Sequence, residues 1–142
     1  MNLLKTVTLL FLCNWLLLAD TERSHAAVDA NLIPEYVTAG LLAYKTKGYE
    51  AAVQVWFADS PHENAATLAS SLIFFKNIEM LAGKYRSYDV LMTKQTTSSN
   101  AVYIRMNYDR LPGYILFTSF KRGDKWVLGS IKLDRMQKFG GS

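Results

Sequence analysis

Tyr103, Arg105 and Asn107 stand two residues apart in the run "AVYIRMNYD". Residues spaced by two point the same way in an extended strand, so a phenol, a guanidinium and an amide would share one face. Such a set can hold a polar or anionic ligand by charge and hydrogen bonding. Arg105 carries the most information, because an arginine among apolar neighbours in mid-strand needs a partner or an anion. Asp89, in the preceding run "KYRSYDVLMTKQ", adds a carboxylate. The plainer alternative for all four is ordinary polarity on the outward side of a strand.

Other chemistry is thin. Of the two histidines, His25 and His62, only His62 lies beyond an N-terminal leader, and it reads as a surface residue near a helix start. There is no nucleophile elbow, no glycine-rich phosphate loop and no paired-cysteine zinc pattern. We therefore expect no metal and no cofactor, and binding rather than catalysis.

The chain that must position these residues has 142 of them, half hydrophobic, which suits one domain with a core of its own. Its mean hydropathy of +0.03 argues against disorder. A pI near 9.2 without dense Lys/Arg tracts does not suggest nucleic acid as a partner.

The segment "MNLLKTVTLLFLCNWLLLAD" holds one lysine followed by an apolar run from Thr6 to Ala19. That run is shorter than the roughly 20 residues a spanning helix takes, and it fits the apolar region of a signal peptide. Small residues flank the histidine of "SHA", so the expected cut is after Ala26, leaving residues 27–142 as a single domain. Lipidation at Cys13 would want a small residue before it, where Leu12 stands. Cleavage removes the only cysteine, so the expected product is secreted or periplasmic, bacterial, free of disulfides and without a membrane span. An uncleaved anchor is the alternative.

Charge is uneven. Residues 27–116 carry eight basic and eight acidic groups, whereas residues 117–142 carry six basic and two acidic ones. Lys121, Arg122 and Lys125 cluster around Gly123-Asp124, as a solvated edge or a contact for an anionic partner.

Three helices are expected first. "NLIPEYVTAGLLAYKTKG" has Asn31 as a cap, Pro34 in the first turn and Gly48 as a stop, with Val37, Leu41 and Tyr44 on one face. "YEAAVQVWFAD" places Tyr49, Ala52, Val53 and Trp56 together. A third helix is expected from a capping box of Ser60 and Glu63, with Pro61 at its first position and Gly83 at its end. Its apolar stripe is Ala65, Leu68, Leu72 and Phe75, flanked by Phe74, Ile78 and Leu81. Four runs rich in Tyr, Val, Ile, Phe and Thr follow, separated by "TTSSN", "RLPG" and Gly123-Asp124. They read as an antiparallel meander, giving an α+β domain.

With "KGYEAAVQVWFADSP", "GKYRSYDVL" and "FKRGDKWVLGSIKL" in this order, residues 32–136 resemble the nuclear-transport-factor-like superfamily, which includes ketosteroid isomerases and SnoaL-like cyclases. The resemblance implies a curved sheet wrapped as a cone around helices, often with a ligand in its open end and a dimer across the sheet. It also implies an alternative function, a small-molecule isomerase or cyclase with Asp89 as base and Tyr103 beside it in the cone. The matching motifs are aromatic and glycine positions, which speak to fold more than to activity.

The last hairpin can be read by register. With a two-residue turn, Arg122 faces Lys125 and Phe120 faces Val127. Ile115, Phe117, Ser119 and Lys121 then share a face with Trp126, Leu128, Ser130 and Lys132, and Tyr114, Leu116, Thr118 and Phe120 share the other with Val127, Gly129, Ile131 and Leu133. Both faces are apolar, so one is expected to pack on the helices and the other to meet a ligand or a second copy. We expect Ile115, Phe117, Trp126 and Leu128 at such an interface, making a homodimer, and a small hydrophobic or anionic ligand as the other class of partner.

Overall fold

A computed structural model describes residues 28–134. The leader and its cut after Ala26 lie outside the described residues. A 3-10 turn, Ala30–Leu32, precedes helices α1 (Glu35–Lys47), α2 (Tyr49–Phe57) and α3 (Ala65–Ala82). Strands β1 (Tyr85–Gln95), β2 (Ser99–Tyr108), β3 (Pro112–Arg122) and β4 (Lys125–Asp134) form one antiparallel sheet in the order β1-β2-β3-β4. The helices pack on one face of this curved sheet, an α+β architecture.

Local chemistry explains most of the boundaries. Gly48 takes φ 99°, so α1 stops there and α2 leaves in a new direction. The start of α1 differs from expectation. Asp29, not Asn31, acts as a cap, its carboxylate accepting from the Asn31 amide, and α1 itself begins after Pro34. The Ser60–Glu63 box also does not form. The Ser60 hydroxyl donates to the Leu128 carbonyl at 2.8 Å and accepts from the His62 amide. Pro61 therefore lies in a turn, and Asn64 caps α3 by accepting from the Thr67 amide at 3.0 Å. The bond to a buried carbonyl on β4 takes the place of the local cap.

The core is continuous from helices to sheet. Trp56 packs against Phe75 and Phe117 with ring centroids 5.3 and 5.2 Å away, and Tyr44 lies 4.6 Å from Tyr85. Val102, Ile104, Met106, Ile115, Phe117 and Leu128 close the sheet side. These side chains fill the space between helices and sheet, and the interior of the fold is packed rather than open. The α1–α2 crossing is close because residue 40 is glycine: a Cβ there would fall within the Trp56 indole.

α3 is the exception. Only Phe75 and Ala82 of its 18 residues are buried. Leu81, Met80 and Ile73 are 73%, 69% and 61% exposed. By length and composition alone it is apolar enough to cross a membrane. Here it lies on α2, reaches β3, and is tied down at its C-terminal end by the β2–β3 turn. Arg110 donates from Nε to the Leu81 carbonyl and from Nη2 to the Met80 carbonyl, at 3.2 and 3.0 Å.

Asp109 completes that clamp. Its carboxylate accepts from the Lys84 amide at 2.9 Å and from Arg86 Nε at 2.5 Å. The Arg86 hydrogen bond, then the Lys84 amide, hold its carboxyl below the usual carboxylate range. A depressed folded-state pKa means stability present above the unfolded value and lost as pH falls through the folded one. Asp109→Asn should therefore lower the urea midpoint at neutral pH, and the gap to wild type should close on acidification. Equal gaps at neutral and acid pH in urea titrations would show that the carboxylate charge is not what holds the turn.

Candidate functional site

The strand residues singled out for chemistry do come together, but on the outer face of the sheet. Asp89 pairs across from Arg105, and Ser87 from Asn107. One Asp89 carboxylate oxygen accepts from Arg105 Nη2 at 2.8 Å and from Asn107 Nδ2 at 2.9 Å. Those bonds, Asn107 first and then Arg105, lower the Asp89 carboxyl below its ordinary range. Both side chains of the ion pair are nearly half exposed. A carboxylate so held is a poor proton acceptor, and the arginine already has its counter-ion. Tyr103 lies on the same face and stacks on Tyr114 with ring centroids 6.1 Å apart. The expectation that Asp89, Tyr103, Arg105 and Asn107 converge inside a cone is thus corrected. The opposite face, bearing Val102, Ile104 and Met106, is the one turned to the helices.

The four interface candidates need the same correction. Ile115, Phe117 and Leu128 are buried against the chain's own helices, and Trp126 sits half-buried on that side at the edge. They belong to the core because Phe117 meets Trp56 and Leu128 receives Ser60. The hairpin pairing itself is as expected at its tip, Arg122 with Lys125 and Phe120 with Val127. Beyond the tip a β-bulge intervenes: Ser119 pairs with Leu128, but Thr118 pairs with Ser130. Gly129 is the extra residue, so Ile131 and Leu133 turn toward the helices while Ser130 and Lys132 turn away, the reverse of the regular alternation.

The basic tip disperses. Lys121 Nζ lies 5.3 Å over the Trp126 ring, Arg122 Nη1 donates to the Asp59 carbonyl at 3.4 Å, and Lys125 borders a hollow of about 400 Å³ with Glu35, Asp59 and Asp124. Three carboxylates in that hollow offset the basic residues around it.

A groove of about 710 Å³ lies where the last turns of α3 meet the start of β3 and the end of β4. Phe74, Ile78 and Leu81 form its helix side, Leu111, Pro112 and Leu133 its sheet side, and Lys132 is the only charged one among the described lining residues. This site escaped sequence reasoning. The stripe on α3 is visible in the sequence, but only the fold shows that the sheet does not cover it.

A second hollow, of about 560 Å³, lies on the other side of the α3 C-terminus. Lys45 and Lys47 from α1, Lys84 before β1 and Arg110 from the β2–β3 turn line it, with Tyr44, Tyr85 and Glu79. Burial, followed by Tyr108 and Glu79 nearby, raises the Tyr44 phenol above its usual range. Tyr44, Tyr85 and Tyr108 therefore stay neutral hydrogen-bonding groups at physiological pH, all three raised chiefly by burial. Among the described residues no group of three or more His, Cys, Asp or Glu is placed to hold a metal. No family model, curated protein or solved structure matches the chain.

Proposed function

We propose that the protein is a non-catalytic binding module of the bacterial envelope, and that it takes a small, largely apolar molecule into the groove beside α3. The observation that carries this reading is the uncovered apolar lining of that groove, with Phe74, Ile78 and Leu81 on one side and Leu111 and Leu133 on the other. Its volume lies in the usual range for small-molecule sites, and a few polar groups in an apolar lining are what orient such ligands. Apolar surface of this kind, left uncovered on α3, stabilises nothing until something occupies it. The leader-like N-terminus supports export, and helices on a curved sheet are the arrangement that the nuclear-transport-factor-like resemblance implies. The outward position of Asp89 favours binding over the isomerase alternative.

The test is a titration of the purified protein with a dansyl-labelled long-chain fatty acid, followed by displacement with unlabelled palmitate. Saturable one-to-one binding is expected. Leu81→Asp and Leu111→Asp change exposed side chains, so both should fold normally and weaken binding at least tenfold. Lys132→Ala alters a side chain turned to the other face of the sheet and should change binding less than threefold. Absent saturation by wild type, or unchanged affinity in Leu81→Asp, would end this reading.

A further inference from the structure

We propose that the hollow lined by Lys45, Lys47, Lys84 and Arg110 is a separate binding site for a small multivalent phosphate, free in solution rather than borne on a lipid. The four cations come from three segments far apart in sequence, and the fold brings them around one concavity of about 560 Å³. Lys45, Lys47 and Lys84 have no ion-pair partner among the described residues. Arg110 spends Nε and Nη2 on the α3 carbonyls, which fixes its position and leaves Nη1 for a ligand.

Helix ends account for part of this charge. Lys45 and Lys47 occupy the last turn of α1, and Arg110 caps the end of α3, where cations complement the helix dipole. Each helix end supplies only about half a negative charge, and Glu79 supplies one more. A surplus of about two positive charges remains in the lining. A concave site lined by one sign of charge concentrates its field and attracts ions of the opposite sign. Ammonium groups on flexible stems bind phosphate as point charges, without the planar fork an arginine needs, which suits several oxygens on one compact ligand. The Tyr44 and Tyr85 rings close the floor and are nearly fully buried, so they offer no stacking surface to a base or ring. That favours a compact anion over a nucleotide.

Inorganic tripolyphosphate is the probe, titrated calorimetrically into the purified protein. Saturable one-to-one binding is expected, weakened several-fold between 50 and 300 mM salt because exposed charge contacts are screened. A Lys45→Glu/Lys84→Glu variant should lose at least tenfold in affinity. Lys76→Glu/Lys94→Glu makes the same change in net charge outside this hollow and should lose less than threefold. Leu81→Asp should bind tripolyphosphate normally, which separates this site from the groove. No saturable binding, or equal losses in the two double variants, would overturn the proposal. Tighter binding to phosphatidylglycerol vesicles that tripolyphosphate does not displace would also overturn it, in favour of a lipid headgroup.

Discussion

Trp56→Ala should destabilise the protein by about 3–5 kcal/mol, the range for deleting a large buried aromatic side chain. Trp56 is essentially inaccessible, joins α2 to Phe75 of α3 and Phe117 of β3, and donates from Nε1 to the Val37 carbonyl at 3.3 Å. Its removal takes away packing on three elements together. The cavity would not collapse easily, because the surrounding rings belong to different elements. For a domain of this size each kcal/mol moves Tm by roughly 4 °C, so a fall of roughly 12–20 °C is expected. Chemical denaturation followed by far-UV circular dichroism is the right measurement, since the substitution removes an indole fluorophore. A loss below about 1 kcal/mol would mean that the ring is not the keystone of this core.

Gly40→Ala should be the second most damaging single change considered, although its sign runs against helix propensity. At an exposed mid-helix position glycine to alanine gains about 1 kcal/mol. At residue 40 the added methyl would occupy the place of the Trp56 indole. The ring is held on its other side by Phe75 and Phe117, so it cannot retreat without disturbing both. Overpacking of this kind costs about 1–3 kcal/mol, and we expect a net loss of about 2–3 kcal/mol. The two substitutions should be strongly coupled. In the Trp56→Ala background the clash partner is gone, and Gly40→Ala should become neutral or stabilising by up to about 1 kcal/mol. A double-mutant cycle by urea denaturation tests this, and additive losses would place the cause elsewhere than in the helix crossing.

Sequence patterns resolved the features that depend on neighbours a few residues away. Gly48 ends α1, Val37, Leu41 and Tyr44 face inward, and Gly123-Asp124 turns the last hairpin with the expected pairing. The misread features depend on residues far along the chain. Ser60 looked like a helix cap because Glu63 follows it, whereas its hydroxyl serves a carbonyl 68 residues away. Strand alternation placed Tyr103, Arg105 and Asn107 on one face correctly. It could not say which face meets the helices, because both carry apolar residues. The Ile115 face is the inner one, with Phe117 packed on Trp56. Neither hollow was legible, since Lys45, Lys84 and Arg110, like Leu81 and Leu133, become neighbours only through topology.

The bulge at Gly129 makes the spacing of β4 as important as its composition. Upstream of it the strand presents Leu128 to the interior, and downstream Ile131 and Leu133, an odd step that a regular strand cannot take. Deleting Gly129 would restore simple alternation and leave Ile131 and Leu133 facing the helices, because the residue lost is the unpaired one. Inserting a residue there with the bulge kept would turn the distal half of the strand over, so that Lys132 faced the helices and Ile131 and Leu133 faced solvent. A side chain on residue 129 is scarcely easier, since its Cβ would sit 3.1 Å from the Thr118 carbonyl oxygen. For mutational scans of this protein, deletion of Gly129 should thus be tolerated better than insertion of a residue beside it.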